Sequence, residues 1–328
     1  PQWAYSNPTV SGGDTGINLA AWLWSAVLVE GKMRAIFSML FGASLILITS
    51  RAEARGAAAD VADIYLRRSL WLAIFGLVHA YLFWAGDILF YFGVVGLGLY
   101  PFRRLGPRAL IVLGLLVLAI GAPRAMLETH RLVGLRSQAE AAEAAAAAGE
   151  TLTKEQRDAQ QGWDEERKWI DPTAEEVAEE VETYRGPYLG ILAARAEYVL
   201  LGHTVYFYSW MLFDVLGMML IGMALMKLGA LSAHMSTRAY ALMAVVGFAV
   251  CIPVTWLVCQ RLMFRSFELT QDFLVESTYD FCRVAGAIGY VGLIMLACRM
   301  AVFPRLRARL AAAGQMAISN YLMQTLIC

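Results

Sequence analysis

The chain has 328 residues, of which 59% are apolar and only 16% are charged, and its mean hydropathy is +0.54. Because soluble domains average about 45–50% apolar and about 25% charged residues, this composition excludes an ordinary soluble domain and also a disordered chain. The 27 basic and 27 acidic residues cancel, so no basic excess is present to bind phosphates and nucleic-acid binding is not expected.

The apolar runs predict a helical membrane protein, since a membrane span needs about 20 apolar residues. A shorter apolar piece at residues 17–29 ends at the polar residues 30–32, and it is expected to form an interfacial or re-entrant helix. The expected fold is an all-α polytopic transmembrane helix bundle with about eight spans. These spans are predicted at residues 33–50, 68–84, 87–102, 108–126, 205–227, 236–259, 281–299 and 311–328.

The apolar run at residues 69–100 could be one overlong helix or two short spans that turn at residues 85–87. Two arginines precede the run at 67–68 and two follow it at 103–104. Two spans would place both pairs on one side of the membrane, as the positive-inside rule requires. We therefore expect two spans, with the turn outside and most basic short loops on the cytoplasmic side.

A polar insert at residues 128–188 is expected to separate an N-terminal membrane region (1–127) from a C-terminal one (189–328). Its composition favours helix, and Thr153 with Gln156 and Thr173 with Glu176 have the spacing of capping boxes. The insert is predicted to be a charged helical pair in the periplasm, either a solvated spacer or an arm that binds a protein partner. The chain begins without methionine and ends inside an apolar run, so further segments are expected at both ends.

Ionisable side chains at membrane depth are costly and therefore mark candidate sites. His79 lies in an otherwise apolar segment, and Asp87 follows eight residues later, about 12 Å along a continuous helix. Asp87 is expected to cap the next helix. The His79 imidazole could act as a general base or proton relay, or it could be a structural histidine that contacts a neighbouring helix.

The charges near the first span are a second candidate. Lys32 and Arg34 could hold an anionic headgroup, a phosphate or a carboxylate, or they could be interfacial anchors paired with Glu30. His203 is expected at the outer mouth of its span, with Asp214 near mid-depth. Asp214 is predicted either to pair with a cation or polar partner or to stay protonated.

Three further patterns concern helix contacts. Asn320 and Gln324 share a helix face and could hydrogen-bond to another helix or contact substrate. Asp280 and Arg283 are expected to form an ion pair one turn apart. Closely spaced glycines in several spans predict tight helix packing. The five cysteines form no Cys-x-x-Cys pair, so a metal site is not expected.

Four stretches carry a family resemblance: residues 29–43, which read VEGKMRAIFSMLFGA, and residues 67–89, 216–225 and 314–324. In these stretches the chain resembles the YeiB-like family of bacterial inner-membrane proteins, domain-of-unknown-function group 418. The resemblance implies a multi-pass protein of the bacterial inner membrane. The family is similar in layout to transmembrane acyltransferases of the heparan-glucosaminide type, which transfer an acyl group from cytoplasmic acyl-CoA to an acceptor across the membrane.

This likeness implies about ten spans in the intact protein, one of them before residue 1. Those acyltransferases have a histidine outside the first span, whereas residues 1–16 of this chain contain none. We therefore expect transfer of an acyl or related group to an envelope substrate, with His79 as base, Asp87 orienting it, and Lys32 and Arg34 holding an anion. The analogy makes acyl-CoA a possible donor, and no other cofactor is evident.

Two alternatives remain. In a secondary transporter or exporter of a small amphiphile, His79, His203 and Asp214 would carry protons. In a non-enzymatic subunit of a membrane complex, the acidic insert would bind a partner. Membrane lipids are expected partners in every case, and the absence of a Walker loop gives no support to ATP-driven pumping.

Overall fold

The computed structural model describes residues 8–11, 13–56, 60–170, 172–264 and 273–327, which form helices joined by short turns and contain no strand. The expected all-α class is confirmed for these residues. In chain order the helices are α1 (Gly16–Trp24), α2 (Lys32–Ala54), α3 (Val61–Leu82), α4 (Leu89–Leu99), α5 (Pro107–Ala147), α6 (Lys154–Ile170), α7 (Ala174–Arg185), α8 (Tyr188–Leu201), α9 (Leu212–Lys227), α10 (Thr237–Phe264), α11 (Phe273–Arg299), α12 (Pro304–Gln315) and α13 (Ala317–Ile327).

Irregular helical pieces connect some of these elements. A π-helical turn at Ser25–Val29 extends α1, and a longer π-helical segment at Gly202–Met211 joins α8 to α9. The chain turns at Glu30 and Gly31 before α2 begins, and Gly31 has a φ of 70°, which glycine adopts without strain. The expected separate helix before the first span is therefore present, while its interfacial or re-entrant position stays a prediction.

The expectation of eight spans is wrong. Within the described residues, four helical segments are long and apolar enough to cross a membrane: Gly16–Ala54, Tyr188–Lys227, Thr237–Phe264 and Thr278–Arg299. Apart from residue 236, which lies one position before the third segment begins, they contain the predicted spans at 33–50, 205–227, 236–259 and 281–299. These helices support a membrane protein. Among the described residues, half of the eight expected spans are long and apolar enough to cross a membrane.

The other four predicted spans fail for a common reason: a helix break or polar residues shorten the apolar helix. The run at 87–102 yields only the 11 residues of α4, about 17 Å of helix against a hydrocarbon core of about 30 Å. The apolar part at 108–126 is the shorter segment Pro107–Gly121. At the C-terminal end, α12 and α13 have 12 and 11 residues and meet at Met316. Helix α3 has Arg67 and Arg68 in its second turn, so its apolar part begins only at residue 69.

The interpretation of residues 69–100 as two helices is confirmed, because α3 ends at Leu82 and α4 begins at Leu89. The two helices pack closely through glycine. A Cβ added to Gly76 would overlap the backbone nitrogen of Phe90, and one added to Gly93 would overlap that of Ala73. Side chains on either glycine would therefore push the helices apart.

The chain divides into two compact units. The larger contains Gly31–Gly121, Tyr188–Val250 and Arg283–Cys328, and the smaller contains Pro1–Glu30, Ala122–Pro187 and Cys251–Cys282. In the larger unit α9 is central, since most of its residues from Asp214 to Leu225 are buried. A helix that is apolar on every side must be enclosed by others. Side chains from α2, α4 and α5, including Leu45, Phe92 and Leu110, complete this core.

Tight contact between α2 and α9 depends on two glycines. A Cβ on Gly42 would fall on the carbonyl of Met219, and a Cβ on Gly222 would fall on the carbonyl of Met39. The two contacts are reciprocal: Met219 lies three residues before Gly222 in α9, and Met39 lies three residues before Gly42 in α2. The predicted small-residue packing is confirmed here, whereas Gly98 faces open space.

The outer face of α3 is apolar. Leu70, Trp71, Ile74, Phe75 and Val78 are all substantially exposed. Such a contiguous patch is unfavourable in water and suits a hydrocarbon environment. The arrangement agrees with a membrane protein.

In the smaller unit, the described part of the insert is helical and held by charged contacts. Arg131 of α5 contacts Glu166 of α6 at 2.5 Å. Thr173 and Glu176 form both hydrogen bonds of a capping box at the start of α7. Backbone hydrogen bonding at Thr173, followed by Arg167, lowers the pKa of Glu176. The domain boundaries and the periplasmic side of the insert stay predictions.

The second predicted capping box is also present. The backbone N–H of Thr153 donates to Gln156 Oε1 at 2.9 Å, and the backbone N–H of Gln156 donates to Thr153 Oγ1 at 3.3 Å. Both reciprocal bonds satisfy amide groups that the first helical turn leaves free. The start of α6 is therefore determined locally by its sequence.

Replacing Thr173 by Ala should weaken the start of α7 by about 0.5–2 kcal/mol, because the cap to the Glu176 amide is lost. Hydrogen exchange of the α7 first-turn amides should then accelerate. Thr183→Ala is the matched control, since that hydroxyl donates to the Glu179 carbonyl within the same helix. Equal exchange in wild type and Thr173→Ala would contradict the capping role.

Gly222→Ala should lower thermal stability by about 1–3 kcal/mol, because the new methyl group forces α2 and α9 apart. The measurement is the Tm of the detergent-solubilised protein. Gly98→Ala adds the same methyl group into open space and should leave the Tm unchanged or raise it slightly. A wild-type Tm for Gly222→Ala would show that the contact is not tight.

Candidate functional site

A chain of three polar side chains joins α3, the following turn and α13. His79 Nδ1 lies 2.9 Å from Asp87 Oδ1, and His79 Nε2 lies 2.9 Å from Thr325 Oγ1. His79 is 3% exposed and Asp87 2% exposed, whereas Thr325 is partly exposed. A buried carboxylate, an imidazole and a hydroxyl thus stand in hydrogen-bonding order.

Two other groups hold the Asp87 carboxylate. The Tyr321 hydroxyl donates to Asp87 Oδ1 at 3.2 Å, and the backbone N–H of Phe90 donates to Asp87 Oδ2 at 2.9 Å. The Tyr321 hydroxyl in turn accepts from the backbone N–H of Ile88 at 3.2 Å. An ionised Asp87 can only accept hydrogen bonds, so a neutral His79 facing it donates from Nδ1 and has Nε2 left as a hydrogen-bond acceptor.

Local sequence places these groups. Helix α3 ends three residues after His79, and the backbone N–H groups of Phe83 and Trp84 both donate to the His79 carbonyl at 2.9 Å. The chain therefore folds back, and the 12 Å separation expected for a continuous helix does not occur. Asp87 was expected to be the N-cap of α4, but the N-cap is Ile88. The Asp87 carboxylate, one residue before it, still accepts a hydrogen bond from the first helical turn.

Aromatic rings enclose His79. The ring centroids of Phe83, Trp84 and Tyr321 lie 6.1, 6.4 and 5.3 Å from the imidazole centroid. A Cβ on Gly86 would meet the Trp84 ring at 2.8 Å, so a larger residue there would displace that ring. These rings pack around a buried imidazole, and Thr325, which contacts its Nε2, is the more exposed of the two residues.

A second charged cluster joins α2, α9 and α11. Asp214 Oδ1 lies 2.5 Å from Arg283 Nη1, and Asp214 Oδ2 lies 3.4 Å from Arg34 Nε. The side chains of Asp214 and Arg283 are 3% and 1% exposed, and that of Arg34 is 26% exposed. Of the two alternatives predicted for Asp214, the structure shows the one with a cationic partner.

Trp210 extends this cluster. The guanidinium of Arg34 lies 4.5 Å from the ring centroid of Trp210, and that of Arg283 lies 5.8 Å from it. Cation–π attraction to the indole adds to the ion pair with the carboxylate. These contacts surround the Asp214 carboxylate with two guanidinium groups that both lie close to the same indole.

The remaining predicted site residues lie outside these two groups. Glu30 is exposed, and Lys32, the first residue of α2, is buried. His203 stacks on Phe90 with ring centroids 4.0 Å apart, and the backbone N–H of that same Phe90 donates to Asp87.

The last two predicted residues lie in α13. Asn320 and Gln324 are both exposed, and Asn320 donates to the Ala313 carbonyl at 3.0 Å. Their shared face is therefore turned away from the His79 imidazole, which Tyr321 and Thr325 contact.

Sequence reasoning did not identify Thr325, Tyr321 or Trp210 as contacts of the buried charges. It expected Arg283 to pair with Asp280, which stays a prediction, and it did not anticipate the contact of Arg283 with Asp214. Tyr321 and Thr325 are spaced i,i+4 in α13, which puts both on one helix face. This spacing was a usable signal, but the partners at Asp87 and His79 are more than 230 positions away. Nothing local identifies such a pairing.

Arg283→Met should destabilise the protein by about 3–5 kcal/mol, because it leaves the buried Asp214 carboxylate without its nearest cation. The double variant with Asp214→Asn should lose less than the sum of the single variants, as measured by unfolding in detergent. Arg299→Met is the control in the same helix, since Arg299 is exposed and donates to the Ala233 carbonyl. Additive losses would show that Asp214 and Arg283 do not stabilise each other.

Comparison with known proteins supports the family resemblance. Residues 225–328 match the family model described as "Protein of unknown function (DUF418)". The chain is 28% identical over 338 residues to "Uncharacterized protein YeiB" of Escherichia coli (strain K12), covering 100% of this chain and 76% of that protein. No solved structure gives a significant match.

Two further relatives have higher sequence identity to this chain, but only over about a quarter of its length. "Uncharacterized protein YxaH" of Bacillus subtilis (strain 168) is 36% identical over 84 residues, 26% of this chain and 20% of that protein. The "Uncharacterized 39.9 kDa protein in amylase 3'region" of Bacillus acidopullulyticus is 37% identical over 90 residues, 27% of this chain and 25% of that protein. None of these three relatives is named as an acyltransferase. The matches support the resemblance to the YeiB-like, group 418 proteins.

Proposed function

We propose that this protein is a membrane-embedded enzyme that transfers an acyl or related group to a substrate of the bacterial envelope, with His79 as general base. The observation that carries the proposal is the buried order of carboxylate, imidazole and hydroxyl at Asp87, His79 and Thr325. A nucleophilic hydroxyl within hydrogen-bonding reach of a base, itself oriented by a third group, is the geometry of activated nucleophiles.

Each member has a defined role in this proposal. Asp87 holds the imidazole in the tautomer that exposes an accepting Nε2, and it stabilises the imidazolium that forms when a hydroxyl gives up its proton. His79 removes that proton as the hydroxyl oxygen attacks an acyl carbon. The surrounding rings of Phe83, Trp84 and Tyr321 keep competing water away.

The proposed donor comes from the likeness to transmembrane acyltransferases. An acyl thioester such as acyl-CoA is the donor suggested by the likeness in layout to transmembrane acyltransferases. We assign Lys32 and Arg34 to binding its anionic part, a role favoured for Arg34 by its partial exposure. Inner-membrane localisation, with the insert in the periplasm, is part of the same proposal.

Proton transport through Asp214 has less support. Any uptake of a proton there would first have to disrupt the contacts with Arg283 and Arg34. The histidine site has no such obstacle to proton exchange with a hydroxyl. We therefore advance group transfer as the function.

Replacing His79 by Gln should reduce transfer by at least about 100-fold, since glutamine can hydrogen-bond but cannot act as a base at neutral pH. The assay supplies radiolabelled acetyl-CoA to membrane vesicles that contain the full chain and measures label in lipids and other envelope molecules. His234→Gln is the matched control, because His234 is exposed and bonds Ser232 in a loop. Undiminished transfer by a folded His79→Gln protein would reject the proposal.

A further inference from the structure

We propose that Thr325 is the catalytic nucleophile and carries the acyl group as an ester between donor and acceptor. This inference rests on the proposed function and deepens it, because it names the hydroxyl that His79 activates. The transfer would then proceed in two steps through a covalent intermediate, without direct attack by the acceptor on the donor.

The first argument concerns the imidazole nitrogens. Nδ1 donates to Asp87, so Nε2 is the nitrogen able to accept a proton, and Thr325 Oγ1 lies 2.9 Å from it. An acceptor molecule would have to displace Thr325 before His79 could act on it as a base. The protein's own hydroxyl already occupies that position.

The second argument compares Thr325 with other helical threonines. In helices a threonine hydroxyl commonly donates to the carbonyl four residues earlier. Thr49, Thr183 and Thr204 do so, with distances of 2.9, 2.9 and 2.6 Å to Leu45, Glu179 and Leu200. Thr325 instead contacts a side chain 246 positions away.

The third argument is accessibility. His79 is 3% exposed, while Thr325 is partly exposed. A substrate approaching the buried imidazole from this side therefore meets the hydroxyl first. The nucleophile of such a site has to be reachable, whereas its base and orienting carboxylate can stay enclosed.

The chemistry balances with an acyl thioester as donor. In the first step Nε2 takes the Thr325 proton, Oγ1 bonds to the acyl carbon, the C–S bond breaks, and the leaving thiolate takes the proton from the imidazolium. In the second step Nε2 takes the proton of an acceptor hydroxyl. The acceptor oxygen bonds to the acyl carbon, the bond from Oγ1 to that carbon breaks, and Oγ1 recovers the proton. No oxidation or reduction occurs.

The test uses the full chain in detergent or vesicles, incubated with radiolabelled acetyl-CoA without an acceptor and then quenched with acid. We expect label on the protein, and peptide mass spectrometry should place the acetyl group on Thr325. Thr325→Val, which keeps the side-chain shape, should abolish the label and reduce transfer at least about 100-fold. Thr325→Ser keeps the hydroxyl and should stay labelled, with transfer within about tenfold of wild type.

The possible outcomes separate the two proposals. If Thr325→Val transfers the acetyl group normally while His79→Gln does not, the nucleophile assignment is overturned and the base assignment stands. If transfer occurs without an acetyl group on Thr325 of the wild-type chain, Thr325 is likewise not the nucleophile. If the wild-type chain neither acquires label nor transfers it, both proposals are rejected for acetyl-CoA chemistry. Elution profiles from size exclusion confirm that the variants are folded.

Discussion

A carboxylate buried in an apolar helix bundle has to find its hydrogen-bond donors and cations on other parts of the protein, since no water is available there. Asp87 and Asp214 each meet this requirement by connecting three elements. Asp87 contacts His79 of α3, the first turn of α4 and Tyr321 of α13. Asp214 of α9 contacts Arg34 of α2 and Arg283 of α11. The two carboxylates together contact α2, α3, α4, α11 and α13.

Close packing makes such contacts possible. Gly42 and Gly222 let α2 and α9 approach until their backbones touch, and Gly76 and Gly93 do the same for α3 and α4. Short interhelical distances allow a short aspartate side chain to reach a neighbouring helix. The small residues are therefore linked to the charged ones: a wider spacing would leave a carboxylate desolvated and far from its partner.

The sequence allowed the class of fold, the turn between α3 and α4, both capping boxes and tight packing at glycines to be predicted, because the apolar runs, arginine pairs, cap spacing and glycine spacing are all local patterns. Which helices the glycines bring together could not be predicted, since Gly42 and Met219 are far apart in the chain. His79, Asp87 and Asp214 were also identified individually, since a charge in an apolar run is visible without a structure. The partners were not, because Thr325 and Tyr321 look like ordinary helix residues. The number of spans was overestimated because an apolar run shows hydrophobicity and does not show where a helix breaks, as at Met316.

The separation of 246 positions between His79 and Thr325 has a consequence for biosynthesis. A ribosome completes α3 and α4 long before it reaches α13, so the nascent protein inserts a histidine and an aspartate whose final partners do not yet exist. Until α13 docks, those groups have to be shielded by lipid headgroups, by water at the membrane surface or by the insertion machinery. The His79–Thr325 contact is consequently formed later than the packing of α3 on α4, and a chain terminated before α13 could not form it.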